Sequence, residues 1–205
     1  MATIEDNFFF IDGSALIADV TTYRRKHPSL KEKKFKLQGL VDDLMDRRLY
    51  HLHTESYKRF VFYFATRDER VKETFQLPDI DKPGAGTDIY IRYCGKRLPK
   101  SKKVEAWISE HNPPAAVMDK LHRSEKAVDT QICCDALQLA AYNKLNRLFL
   151  YANDSDFLPL FGTLRQCGAN ISLVRLFKKG TNKDLLKECD SFDVMKEDAL
   201  EKCFI

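Results

Sequence analysis

Two apolar runs that stop at acids carry the chemistry of this sequence. Residues 147–160 read RLFLYANDSDFLPL: Leu148, Phe149, Leu150, Tyr151 and Ala152 are followed at once by Asn153-Asp154-Ser155-Asp156. Phe8-Phe9-Phe10-Ile11 ends in the same way, at Asp12-Gly13-Ser14. An apolar run without alternation suits a strand covered on both faces, and ligands of open α/β sheets bind beyond the carboxyl ends of such strands. If the two strands are parallel neighbours, Asp12 and Asp154 project into one crevice. Carboxylates that close raise one another's pKa, and a divalent cation between them relieves the repulsion. Twin helix caps are the alternative, because Asp and Ser after a strand also accept from the first amides of a helix.

A third acid opens the segment 125–129, EKAVD. Asp129 falls at the N-cap or in the first turn of a helix running to about residue 143, with Ile132, Ala136, Leu139 and Ala140 packing inward. Asp135 is six residues further on, turned about 120° from Asp129 around the helix. It is therefore the weaker candidate for the same ion. Cys133 and Cys134 read as small buried residues, since a hard cation prefers oxygen.

The elements that must position these acids follow from the pattern of the chain. A helix is expected over about 14–23, a longer one capped by Ser29 and running to Arg48 with Phe35, Leu37, Leu40, Val41 and Leu44 as its stripe, and a strand over 59–65. Lys31, Lys33, Lys34 and Lys36 read as a solvated face, and Asp68, just past the strand, is a weaker additional site candidate. A loop-rich basic insertion spans about 76–124 and holds five of the seven prolines. Within it 87–93 alternates like a strand. A basic turn follows, with Lys96, Arg97, Lys100, Lys102 and Lys103, flanked by Tyr90, Tyr93 and Trp107. Basic groups track phosphates and aromatic rings stack on unpaired bases, so this combination suits single-stranded nucleic acid. A last strand (169–174), a basic Gly-containing loop (178–183), a short helix (184–189) and a C-terminal piece docking through Met195, Leu200 and Phe204 complete the chain. Strands and helices alternate without a break in composition, so residues 1–205 read as a single α/β domain.

Composition excludes other classes. A chain of 205 residues with 44% hydrophobic content can bury a sizeable core. No apolar run approaches the length of a membrane span, and the start, MATIEDNFFF, lacks the basic region of a signal peptide. The six cysteines form no CxxC pair and no zinc spacing with the five histidines, which suits reduced thiols in the cytoplasm. A net charge of +4 decides nothing alone.

Taken in order, Phe10-Ile11-Asp12-Gly13, Lys126-Ala127-Val128-Asp129 with Asp135-Ala136-Leu137, and Asn153-Asp154-Ser155-Asp156-Phe157-Leu158-Pro159-Leu160 resemble the successive motifs of the NYN family. Gly168 and the segment 185–192 also fit. The resemblance implies a PIN-like (Rossmann-like) fold, a three-layer sandwich with a central, mostly parallel sheet, and a metal-dependent ribonuclease using Mg²⁺ or Mn²⁺. It implies Asp12, Asp129, Asp154 and Asp156 as the catalytic, metal-binding cluster, with Asp135 a further metal candidate. Metal ions so held activate a water in line with the scissile phosphorus and neutralise the leaving oxygen. Lys126, Arg97, Lys102, Lys103, Asn153 and Ser155 are the expected nucleic-acid contacts. RNA is the expected partner, with no membrane; a homo-oligomer or a protein partner stays open. Two positions depart from the family pattern: Ala15 stands where the first motif usually has Asn, and Asn153 where the third usually has Gly. Ala15 favours an alternative, a catalytically weak module binding RNA or protein through the same crevice. Retention of all four acids opposes it, because unneeded carboxylates repel. A phosphatase or small nucleotide hydrolase is a third possibility, against which the basic, aromatic middle argues.

Overall fold

Both apolar runs that end in acids are strands. The computed structural model describes residues 7–48, 58–78, 87–97, 110–111 and 125–205. In chain order it has β1 (Asn7–Asp12), α1 (Gly13–Lys26), β2 (Phe35–Lys36), α2 (Leu37–Arg48), β3 (Lys58–Thr66), α3 (Glu69–Thr74), β4 (Phe75–Gln76) and β5 (Thr87–Arg97). Then come β6 (Glu125–Lys126), α4 (Val128–Ala141), β7 (Arg147–Tyr151), α5 (Leu158–Gln166), β8 (Asn170–Arg175), α6 (Lys183–Glu188), β9 (Ser191–Val194) and α7 (Glu197–Lys202).

The main sheet runs β6-β5-β3-β1-β7-β8-β9. Every pairing from β5 to β9 is parallel, and only the two-residue β6 is antiparallel to its neighbour. Alternate residues of the central strands enter opposite cores, as the two-residue period of a strand requires. Phe9, Ile11, Phe149 and Tyr151 pack with Val20 of α1, Leu40 of α2, Val71 of α3 and Leu200 of α7. Phe8, Phe10, Leu148 and Leu150 pack with Ile132 of α4, Phe161 of α5 and Leu185 of α6. The result is an α/β sandwich of the PIN-like kind.

The chain winds from β1 toward β3 and β5 on one side and from β7 toward β8 and β9 on the other. Helix α1 covers one face and α5 the other, so the crevice between the ends of β1 and β7 is the topological switch point of the sheet. Aromatic stacking fixes those strands laterally. The ring of Phe9 lies 4.2 Å from that of Phe60 on β3 and 4.3 Å from that of Phe149 on β7, with the planes within 12° and 7° of parallel. These rings sit at matched register positions. Gly13 lets α1 start tight against the sheet: a β-carbon there would lie 2.2 Å from the ring of Phe64 and 2.5 Å from the carbonyl oxygen of Tyr63.

Two expectations need correction. Residues 29–48 are not one helix: Pro28–Leu30 form a single 3₁₀ turn, Phe35–Lys36 pair with Phe75–Gln76, and α2 begins only at Leu37. The cause is tertiary. Phe35 is fully buried against Phe75 and Phe204, and the amides of Lys34 and Lys36 donate to the carbonyls of Ile205 and Cys203. Cys133 and Cys134 are not both buried: Cys133 is half-buried and Cys134 exposed, because Ile132 and Ala136 take the inward face of α4. The strand expected at 87–93 extends to Arg97 and hydrogen-bonds along β3. Lys100, Lys102, Lys103 and Trp107 lie outside the described residues.

Candidate active site

Strand β1 delivers Asp12 to the sheet edge. The residue before it, Ile11, is level with Tyr151 of β7, which places Asp12 and the Ala152-Asn153-Asp154 turn side by side. Asp12 is buried and caps α1: its Oδ1 accepts from the amide (2.8 Å) and hydroxyl (2.9 Å) of Ser14. Asp154 caps the 3₁₀ turn Ser155–Phe157, accepting from the amide of Asp156 at 3.0 Å. The helix-cap explanation is thus true of both acids. It leaves unexplained why they face each other, and why two more join them.

Asp129 lies in the first turn of α4, which starts after Ala127 in a left-handed conformation (φ 75°). That unusual backbone turns the chain from β6 into the helix with Asp129 on the crevice side. Asp12, Asp129, Asp154 and Asp156 all line one cavity of about 610 Å³, with Ser14, Ala15, Asn153 and Ser155. Electrostatics record their proximity. Burial pushes the Asp129 carboxyl up to about 6, and the charges of Asp12, Asp154 and Asp156 push in the same direction. Asp12 is also raised, chiefly by burial and further by Asp154, against the lowering effect of Ser14 and the Ala15 amide.

A carboxyl with a folded pKa near 6 and an unfolded one near 4 stabilises the fold fully below about pH 4 and loses that contribution as pH rises through 6. Discounted for Asp129's partial exposure, the loss is about 1 kcal/mol. In the absence of divalent metal, Asp129→Asn should be more stable than wild type by about that amount at pH 7 and nearly equal to it at pH 4. Urea melts across this range measure the difference, and a variant less stable than wild type at pH 7 contradicts it.

Asp135 stands elsewhere. Its carboxylate accepts from the Tyr63 hydroxyl (2.8 Å), the Gln131 amide (2.9 Å) and the Arg92 guanidinium (2.5 Å), and it is not part of the cavity wall. Asp68 is likewise occupied, as the cap of α3 and the ion-pair partner of Arg70. Asn153 spends its amide on the neighbouring loop, donating to the Gly180 carbonyl at 3.1 Å and accepting from the Asn182 amide at 2.8 Å. Ser155 is exposed at the rim. Backbone pairing puts Arg97 opposite Glu125, and Lys96 opposite Lys126, at the far edge of the sheet. Tyr90 and Tyr93 are exposed on β5.

Sequence inspection misses what lies under the acids. Asp19 of α1 and Arg175, the last residue of β8, form a buried ion pair with bonds of 2.7 and 3.1 Å. The guanidinium also donates to the Ala152 carbonyl at 3.2 Å, and the Tyr151 hydroxyl donates to Asp19 at 2.5 Å. Both charged residues line the cavity, as do Arg70 and Asn182. A signal existed: Asp19 interrupts the apolar face of Leu16, Ile17, Val20 and Tyr23, and Arg175 ends an apolar strand.

Among the described residues, no group of three or more His, Cys, Asp or Glu side chains stands in ligand geometry for a metal ion. No helix among them is long and apolar enough to cross a membrane.

Comparison with known proteins supplies the family. The NYN domain matches residues 77–196, 120 of the 205 in the chain, a span that includes Asp129, Asp154 and Asp156 but not Asp12. The crystal structure of a protein of unknown function from Vibrio parahaemolyticus RIMD 2210633 superposes with a TM-score of 0.51 at 15% identity, covering 97% of this chain and 98% of that one, a likeness of fold alone. No curated protein matches the chain in sequence.

Proposed function

The chain belongs to the NYN family, and from that premise we propose that it is a metal-dependent ribonuclease acting on single-stranded RNA in the crevice between β1 and β7. One observation carries the proposal: Asp129 feels the charges of Asp12, Asp154 and Asp156 together, so four carboxylates share one solvent-open cavity at the switch point. Such a set costs stability unless a cation offsets it. All its donors are hard oxygens, which suit Mg²⁺ or Mn²⁺. Mg²⁺ keeps several waters and takes only one or two carboxylates directly.

Asp12 and Asp154, fixed by their capping bonds, would be the direct ligands. Asp129 and Asp156 would bind directly or through water. A divalent ion at this place supplies a water of lowered pKa and charge neutralisation at the leaving oxygen. The chain's own contribution is orientation: Ser14 holds Asp12, the Asp156 amide holds Asp154, and Arg175 braces the turn before it. In the usual metal-dependent course the 3′-oxygen leaves and the product carries a 5′-phosphate. The six free thiols suit a reducing compartment such as the cytoplasm.

A second possibility rests on Ala15. Its methyl group lies in the cavity wall, where an Asn would offer an amide to water or substrate. A chain so altered could bind RNA or a protein partner without efficient turnover. The experiment is cleavage of an end-labelled single-stranded RNA with Mn²⁺, Mg²⁺ or EDTA. Metal-dependent products carrying a 5′-phosphate are expected. RNA bound but left intact under every condition would overturn the nuclease in favour of the binding module.

A further inference from the structure

The loop after β8, residues 176–182, leaves the carboxyl edge of the sheet one strand from the crevice. It is a shaped loop. Gly180 takes φ +86°, the buried Thr181 donates through its hydroxyl to the Phe177 carbonyl at 2.9 Å, and Asn153 grips the Gly180 carbonyl and the Asn182 amide. Asn153 is the residue next to Asp154, so the loop is fastened to the acidic turn itself. Lys178 and Lys179 on this loop, and Lys183 just past it, are exposed, and among the described residues none of the three has an ion pair. Lys187, one turn further on, is paired with Asp184. Three cations without an ion pair therefore stand on, or one residue past, the loop that Asn153 fastens beside Asp154, just outside the wall of the acidic cavity.

A polyanion that carries its own cation into the crevice satisfies these lysines and the four carboxylates at once. We propose that Lys178, Lys179 and Lys183 form a phosphate-binding shoulder along which an RNA strand leaves the crevice, running across the strands from β1 over β8. The inference rests on the ribonuclease assignment and names the surface that takes the substrate beside the site. The dimensions agree: neighbouring strands are about 4.8 Å apart, so the edge from β1 to β8 spans about 10 Å. That is the rise of about three stacked nucleotides. Arg70, held by Asp68, stands in the opposite wall of the same cavity, on the β3 side. This path differs from the basic turn after β5, at the far side of the sheet.

The test is RNA binding by the Asp154→Asn protein in Mg²⁺, with and without Lys178→Gln, Lys179→Gln and Lys183→Gln together, using a fluorescent single-stranded RNA from 50 to about 300 mM salt. The triple substitution should weaken binding at least tenfold at low salt. It should also reduce the slope of log affinity against log salt by about two, since each single-strand phosphate contact contributes about 0.7. Thermal stability should not change, because the three side chains are exposed. Unchanged affinity and slope would overturn the shoulder while leaving the nuclease intact if wild type still cuts RNA with metal. Absence of both binding and cleavage in the parent proteins would overturn both. Equal competition by poly-glutamate of the same charge would overturn RNA as the occupant.

Discussion

Asp154→Asn is expected to slow metal-dependent RNA cleavage by about a thousandfold or more, equivalent to about 4 kcal/mol of barrier. Asp135→Asn is expected to stay within about threefold of wild type, less than 1 kcal/mol. Both residues belong to acid motifs of the same sequence, and the structure separates them. Asp154 shares a cavity with three other carboxylates. Asp135 already serves Tyr63, Gln131 and Arg92. Its amide replacement removes an acceptor from a charged pair and should lower stability by about 1–3 kcal/mol instead. Single-turnover cleavage and urea melts of the two variants check both halves. Equal loss of activity would place the reacting atoms nearer α4 than the crevice does.

Arg175→Met should destabilise the fold by about 3–5 kcal/mol, a large fraction of the stability of such a domain. The guanidinium neutralises Asp19, which is nearly covered, and satisfies the Ala152 carbonyl. Its removal strands a buried carboxylate. The double variant Asp19→Leu/Arg175→Met removes both charges and should recover most of the loss, because apolar replacement of a complete buried pair is close to neutral. Equilibrium unfolding of the two proteins measures the difference. A single variant as stable as the double would mean that the pair is open to water.

The parts of the fold legible in sequence are those set by local pattern. β1 and β7 announce themselves because strands covered on both faces are apolar throughout, and because each ends abruptly at an acid. From that alone the shared position of Asp12 and Asp154 follows once the strands are neighbours. Asp129 is legible for a related reason, lying where a helix opens. The β2–β4 pairing is not legible, since Phe35 is drawn from a helical stripe into a strand by Phe75 and by Phe204 near the far end of the chain. The ion pair of Asp19 and Arg175 joins residues 156 apart in sequence, and no local period reports it. Asp135 shows the limit of motif spacing: a helical residue about a third of a turn from Asp129's face meets the β3 and β5 side chains instead of the crevice. Asn153, taken from sequence as a contact for RNA, spends both ends of its amide on the lysine loop.

Titrating Mn²⁺ into the metal-free protein shows whether the four carboxylates at the switch point make a divalent-cation site. Calorimetry or the loss of the free Mn²⁺ paramagnetic signal would follow binding in wild type and in Asp12→Asn/Asp154→Asn. Saturable binding by wild type, weakened at least tenfold in the double variant and accompanied by proton release near pH 6, is the predicted result. No binding by wild type, or equal binding by both proteins, would contradict it.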